Sequence, residues 1–134
     1  MKNILLVDDD GLLRLVLMSN FRLHLPECNV LTAENGREAT EILRCLQVDF
    51  ILTDLRMDDM DGYELIEHLN EYYPLLPLAV MSGDGSADAK ERLERLGVAS
   101  FFEKPFSVSD LEDAILEGLQ RNSGTAEPMS LSAA

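Results

Sequence analysis

Apolar residues recur along this chain in two alternating modes. Short unbroken runs, Ile4-Leu5-Leu6-Val7, Val30-Leu31-Thr32-Ala33, Phe50-Ile51-Leu52-Thr53, Leu78-Ala79-Val80-Met81 and the Phe101-Phe102 pair within Ser100–Glu103, predict strands. The third run has little polar alternation, as expected of a strand covered on both faces. Between the runs, apolar positions fall at helical spacing. Leu12, Leu13, Val16, Leu17, Phe21 and Leu25 predict a buried stripe on a first helix that Pro26 ends. Glu34-Asn35-Gly36 opens a second helix to about Leu46, buried through Ala39, Ile42, Leu43 and Leu46. A third runs from Gly62 to about Tyr73 with Leu65, Ile66 and Leu69, and Pro74 and Pro77 bracket the next strand. After a flexible loop, Ser82-Gly83-Asp84-Gly85-Ser86, a charged fourth helix covers Ala87 to Leu96, with Leu93 and Leu96 inward and Gly97 as its cap. The last begins at Ser109 or Asp110 and reaches about Leu119. Residues 122–134 have no periodic apolar face and read as a disordered tail or truncated linker, leaving one domain over 1–121.

Strands joined by helices of this length are βαβ units with right-handed crossovers, and a series of them makes a parallel sheet with helices on both faces. Spacing alone does not fix the strand order. The expected α/β architecture is a flavodoxin-like, doubly wound, five-stranded parallel sheet of order 2-1-3-4-5 with five helices. That order sets the first and third strands side by side at the switch point, where ligands bind.

With 134 residues the chain suits one core. It carries 25 Asp and Glu against 11 Lys and Arg, a net charge of -14. Such a field repels nucleic acid and favours divalent cations or a basic protein surface, so no direct nucleic-acid binding is expected. No apolar run is long enough to span a bilayer, and the N-terminus lacks a signal-peptide pattern, so no membrane association and a cytoplasmic location are expected. Cys28 and Cys45 have no metal-ligand spacing and read as buried or half-buried thiols. His24 and His68 read as surface or boundary residues.

The candidate chemistry sits where the strands end. Asp8, Asp9 and Asp10 follow the first run, Asp54 the third, Ser82 the fourth and Lys104-Pro105 the fifth. The expected order brings Asp8 and Asp9 close to Asp54. Carboxylates that converge repel one another unless a cation sits among them, and magnesium is commonly held by one or two carboxylates plus phosphate oxygens. Aspartate can be the nucleophile that forms an acyl phosphate, while Lys104, the Ser82 hydroxyl and the Gly83 amide offer a cation and donors for a phosphoryl group. Asp10 reads as a helix cap, and Met57 and Met60 as packing residues of the loop after Asp54.

Four motifs, Ile4-Leu5-Leu6-Val7-Asp8-Asp9-Asp10, Asp54-Leu55-Arg56-Met57 with Met60-Asp61-Gly62, Met81-Ser82-Gly83 and Lys104-Pro105-Phe106, stand in an order and at intervals that resemble the receiver domain of two-component response regulators, the family that includes the chemotaxis regulators. The likeness spans Lys2 to Arg121. It implies that Asp54 is phosphorylated by a sensor histidine kinase or a histidine phosphotransfer protein. It also implies that Asp8, Asp9, Asp54 and the Arg56 carbonyl hold Mg2+, with Asp9 the direct ligand and Asp8 acting through water. Lys104 would bind the phosphoryl group, and Ser82 and Phe101 would form the switch, with a cis bond before Pro105. The output would be a downstream protein or output domain at the surface of the fourth helix, fifth strand and fifth helix. The implied activity is a signalling switch that assists its own phosphorylation and dephosphorylation, not an enzyme with a separate substrate.

Two departures are visible. Asp58 stands where the family often has proline, and Phe101 lacks the hydroxyl of a tyrosine. Arg56 and Asp84 lie two residues beyond Asp54 and Ser82, and are expected to pair at the site entrance and hinder hydrolytic water. A passive interaction module would be expected to lack a key acid or the lysine. An aspartate-nucleophile phosphatase would carry a DxD pattern after the first strand, and a nucleotide-binding site a GxGxxG or GxxxxGK[ST] loop. The chain lacks neither the acids nor the lysine, has consecutive acids after the first strand without a substrate-capping insertion, and has neither glycine-rich loop. The residues after Arg121 resemble no output domain, which fits a stand-alone receiver or one cut from a longer regulator.

Overall fold

A computed structural model describes residues 1–57 and 59–126, with the side chains of 122–126 left aside. Five strands alternate with five helices: β1 (Lys2–Val7), α1 (Gly11–His24), β2 (Cys28–Ala33), α2 (Gly36–Cys45), β3 (Phe50–Asp54), α3 (Gly62–Tyr72), β4 (Leu78–Ser82), α4 (Ala87–Arg95), β5 (Ser100–Glu103) and α5 (Val108–Ala126). All strand pairs are parallel, in the order β2-β1-β3-β4-β5. The architecture is therefore the one expected from the sequence.

Period-two side-chain alternation divides the core between the two faces of the sheet. Ile4, Leu6, Leu52 and Met81 face α1 and α5 and pack with Leu17, Phe21, Leu111 and Ile115. Leu5, Val7 and Ile51 point the other way, onto Ala39 and Leu43 of α2 and Leu65 and Leu69 of α3. Val80 joins Leu55, Ile66 and Leu93 under α4. The central strands are buried on both faces, which explains their unbroken apolar runs.

Most helix starts have side-chain caps. Asp10 accepts from the Leu12 and Leu13 amides, Asn35 from Glu38, and Ser86 from Ala89. Asp61 and Glu64 make a reciprocal capping box on α3. Gly97 has φ +84°, the left-handed geometry that glycine adopts without a Cβ penalty.

Several expectations are corrected. Leu12 and Val16 are exposed, so the buried stripe of α1 is narrower than its apolar content suggests. Leu46 is also exposed, because α2 ends at Cys45 and the chain turns extended there. Cys45 is an exposed thiol, whereas Cys28 is half-buried as expected. Helix α5 continues past Leu119 to Ala126, since each added helical residue gains a backbone bond without needing an apolar face. Asp58 and residues 127–134, where part of the expected tail falls, lie outside the described residues.

Candidate functional site

Strand register builds the site. Val7 pairs with Thr53, so the next residues, Asp8 and Asp54, emerge together from adjacent strand ends. Asp54 pairs with Met81, and Ser82 with Glu103, so Ser82 and Lys104 reach the same rim one step later. The Lys104 amide donates to the Ser82 carbonyl at 2.8 Å, and the Lys104–Pro105 bond is cis.

Lys104 Nζ lies 2.9 Å from Asp54 Oδ2 and 3.4 Å from Asp8 Oδ2. The other Asp54 oxygen, Oδ1, accepts from the Leu55 amide at 2.7 Å and the Arg56 amide at 3.4 Å. Asp8 Oδ1 accepts from the Asp10 amide at 2.9 Å. Asp8 is fully buried and Asp9 exposed, and a carboxylate oxygen from each of Asp8, Asp9 and Asp54 lies within 4.8 Å of the others.

Burial pushes the Asp8 carboxyl above its ordinary value and the Asp54 charge adds to this, against the opposing pull of the Asp10 amide and Lys104. Burial alone would lower Lys104, but its hydrogen bond to Asp54 and the charges of Asp54 and Asp8 prevail and hold its ammonium above the usual value. The cluster thus has three carboxylates and one close ammonium, an oxygen donor set suited to a hard divalent cation.

The loop after β3 approaches this site closely. Gly62, the first residue of α3, donates to the Leu55 carbonyl at 3.0 Å, and a Cβ there would sit 2.3 Å from the Asp54 carbonyl oxygen. Only glycine lets α3 start so near the backbone at the end of β3. Met57 is buried and Met60 packs beside it against the core over α2 and α3.

Asp54, Arg56, Ser82, Gly83, Asp84 and Lys104 line a cavity of about 440 Å³. Arg56 Nη2 lies 3.4 Å from Asp84 Oδ2 at its edge, so the two residues expected at the entrance do meet there. Ser82 is buried and its Oγ accepts from the Asp84 amide at 3.0 Å. Phe101 is half-buried and packs against the Leu55, Ile66, Val80 and Leu93 cluster rather than entering the cavity. Asp10 caps α1 as expected.

The loop between Ser82 and α4, read from sequence as simply flexible, is an ordered set of capping bonds. Ser86 donates its amide to Asp84 Oδ1 at 3.0 Å and accepts from Ala89. The signal for it was present in the Ser-Gly-Asp-Gly-Ser stretch, since Asp and Ser before a helix bond to nearby amides.

The model of the response regulator receiver domain matches residues 4–116. This chain belongs to the response regulator receiver family of two-component systems. Transcriptional regulatory protein GlrR of Escherichia coli (strain K12) is 36% identical over 121 residues, covering 90% of this chain and 27% of that protein. DNA-binding transcriptional regulator NtrC of the same strain is 33% identical over 104 residues, covering 78% and 22%. The receiver chain thus spans about a quarter of the length of these curated relatives.

Among solved structures, adenylate cyclase from Rhodopirellula baltica superposes with a TM-score of 0.86 at 28% identity, covering 98% of this receiver and 97% of that chain. The non-phosphorylated HemR receiver domain from Leptospira biflexa gives 0.78 at 28% identity, covering 89% and 94%. Among the described residues, no helix is long and apolar enough to cross a membrane.

Proposed function

We propose that this receiver, over residues 1–121, takes a phosphoryl group onto Asp54 from a phosphohistidine on a sensor histidine kinase or histidine phosphotransfer protein. The observation that supports this most is the pairing of Asp54 with Lys104 inside a cluster that also gathers Asp8 and Asp9. As an Asp54 oxygen bonds to phosphorus, the P–N bond breaks and its electron pair stays on the imidazole nitrogen. The Leu55 and Arg56 amides orient the carboxylate, and the Lys104 ammonium beside Asp54 Oδ2 is within reach of the incoming phosphoryl oxygens, whose negative charge it balances.

The donor set fits Mg2+, which Asp8, Asp9, Asp54 and the backbone carbonyl of Arg56 would hold. When bound, the ion supplies the positive charge that lets anionic phosphoryl oxygens approach three carboxylates.

The donor's surface must cover the strand ends to bring an imidazole to Asp54. Helix α1 begins beside Asp9, and its outward face carries Leu12, Leu15, Val16 and Leu23, with Leu12 71% and Leu23 73% exposed. Such an apolar helix face suits helix-on-helix docking of a phosphohistidine bundle.

After phosphorylation Ser82 turns toward the phosphoryl group and vacates space into which Phe101 turns from its present packing on the Val80 and Leu93 cluster, biasing the α4–β5–α5 face toward a downstream protein or output domain. Direct nucleic-acid binding is no part of this role, in keeping with the net charge of -14. The self-assisted phosphorylation and its reversal make the domain a switch, and its place is the cytoplasm.

Treatment with acetyl phosphate and Mg2+, then hydroxylamine, tests the reading. An acyl phosphate releases its phosphate to hydroxylamine and leaves a hydroxamate on the chain. A phosphoryl group that survives hydroxylamine, or none at all, would contradict it.

A further inference from the structure

The turn between β4 and α4 is a relay of three bonds. Ser82 Oγ accepts from the Asp84 amide at 3.0 Å, Asp84 Oδ1 from the Ser86 amide at 3.0 Å, and Ser86 Oγ from the Ala89 amide at 3.2 Å. The last bond is the N-cap of α4. Asp84 links the switch serine to the cap residue, its amide facing Ser82 and its carboxylate facing Ser86 at the helix start. Its remaining oxygen meets Arg56 at 3.4 Å. The Ser86 bonds, and then Arg56, hold the Asp84 carboxyl below its ordinary range, so at neutral pH it is ionised.

Helix α4 depends on such end contacts. Only Ala89 and Leu93 of its nine residues are buried. Its far end is tied to α3, where Asn70 Nδ2 donates to the Leu96 carbonyl at 2.8 Å and Arg92 lies 3.7 Å over the Tyr63 ring. The near end rests on Ser86, and Ser86 on Asp84. A Ser82 hydroxyl that swings toward a group on Asp54 leaves the Asp84 amide, and the Asp84 carboxylate resists this by keeping the turn in place.

We propose that Asp84 is a positioning residue of the switch, whose carboxylate locks the Ser82 hydroxyl to the start of α4 and holds it back from Asp54. This rests on reading Asp54 as the phosphorylated residue. The lock sets how readily the phosphorylated arrangement forms and makes Ser82 movement and the α4 start one event. Its chemistry is an anionic acceptor on a backbone amide, so an asparagine oxygen replaces most of it and a methyl group none.

The test is affinity for beryllofluoride, a mimic of the phosphoryl group, with Mg2+ present, followed by 19F NMR on the full chain. Asp84→Ala is expected to bind about fivefold more tightly, as loss of one restraining hydrogen bond requires. Its Ser86 amide is expected to exchange faster before beryllofluoride is added. Asp84→Asn, which keeps an oxygen for Ser86, tightens binding by less than about twofold. Unchanged or weaker binding by Asp84→Ala, in a chain whose wild-type form binds, would overturn the inference alone. Equal tightening by Asp84→Asn would also overturn it, assigning the effect to the Arg56 ion pair. Failure of the wild-type chain to bind would overturn the phosphoacceptor reading and this inference with it.

Discussion

Lys104 Nζ sits 2.9 Å from Asp54 Oδ2, joining the end of β5 to the end of β3 across the intervening strand β4. The same ammonium lies 3.4 Å from the buried Asp8, so one cation serves two carboxylates. Replacing Lys104 with Ala removes the charge beside the reacting oxygen. The rate of Asp54 phosphorylation by acetyl phosphate is expected to fall by about a hundredfold, as for loss of a single oxyanion donor. Mass spectrometry over time measures it, and a rate within about threefold of wild type would remove Lys104 from the chemistry.

Asp8 contributes a pH-dependent penalty to the metal-free fold. Burial, then the neighbouring Asp54, raises its carboxyl above 3.8. A group raised on folding contributes stability below its unfolded value and loses that contribution as pH rises through its folded value. Without magnesium, Asp8 ionisation therefore costs stability from about pH 4 upward. Asp8→Asn is expected to raise the melting temperature in EDTA at pH 7, by the equivalent of ~1 kcal/mol, and to flatten the pH profile above pH 4. Magnesium stabilisation should be large in wild type and nearly absent in the variant. Thermal melts with and without the ion decide both points.

The outward face of α1 separates protein donors from small ones. Leu15→Glu or Leu23→Glu places a charge on the exposed apolar face while leaving Leu17 and Phe21 in the core. Phosphotransfer from a phosphorylated kinase histidine domain is expected to slow by about tenfold, and transfer from acetyl phosphate to stay unchanged. Equal slowing of both, or of neither, would remove α1 from donor docking.

Arg56 and Asp84 close the edge of the cavity with a largely exposed ion pair. Such a pair adds little to stability, so its consequence is steric. Arg56→Ala is expected to hasten loss of the phosphoryl group by about threefold, because hydrolytic water gains access. Decay of the phosphorylated protein after donor removal measures this, and an unchanged or slower decay would contradict it.

The periodic parts of the fold were legible in the sequence because each central strand is buried on both sides and each helix carries an inward stripe. Asp8 and Asp9 could be brought to Asp54 from the expected 2-1-3-4-5 order, and Lys104, two strands away after β5, from the resemblance to receiver domains. Exposure was less legible. Leu12 and Val16 fit a core stripe and yet face outward, because apolar content cannot distinguish a core contact from a docking face. The turn after Ser82 is equally hard to see in the sequence, for its order comes from side-chain to amide bonds within a few residues, which leave no periodicity. The contact of Arg37 with Asp59 joins α2 to the loop after β3 across a sequence gap that no local pattern bridges.

The central claim is that Asp54 is the phosphoacceptor and that the acidic cluster needs magnesium to serve it. Intact mass after incubation with acetyl phosphate, with magnesium or with EDTA, for wild type and Asp54→Asn, tests it most directly. The account predicts a gain of one phosphoryl group for wild type with magnesium, and none in EDTA or in the variant. An equal gain by Asp54→Asn, or no gain by a folded wild-type chain with either acetyl phosphate or a phosphohistidine protein, would contradict it.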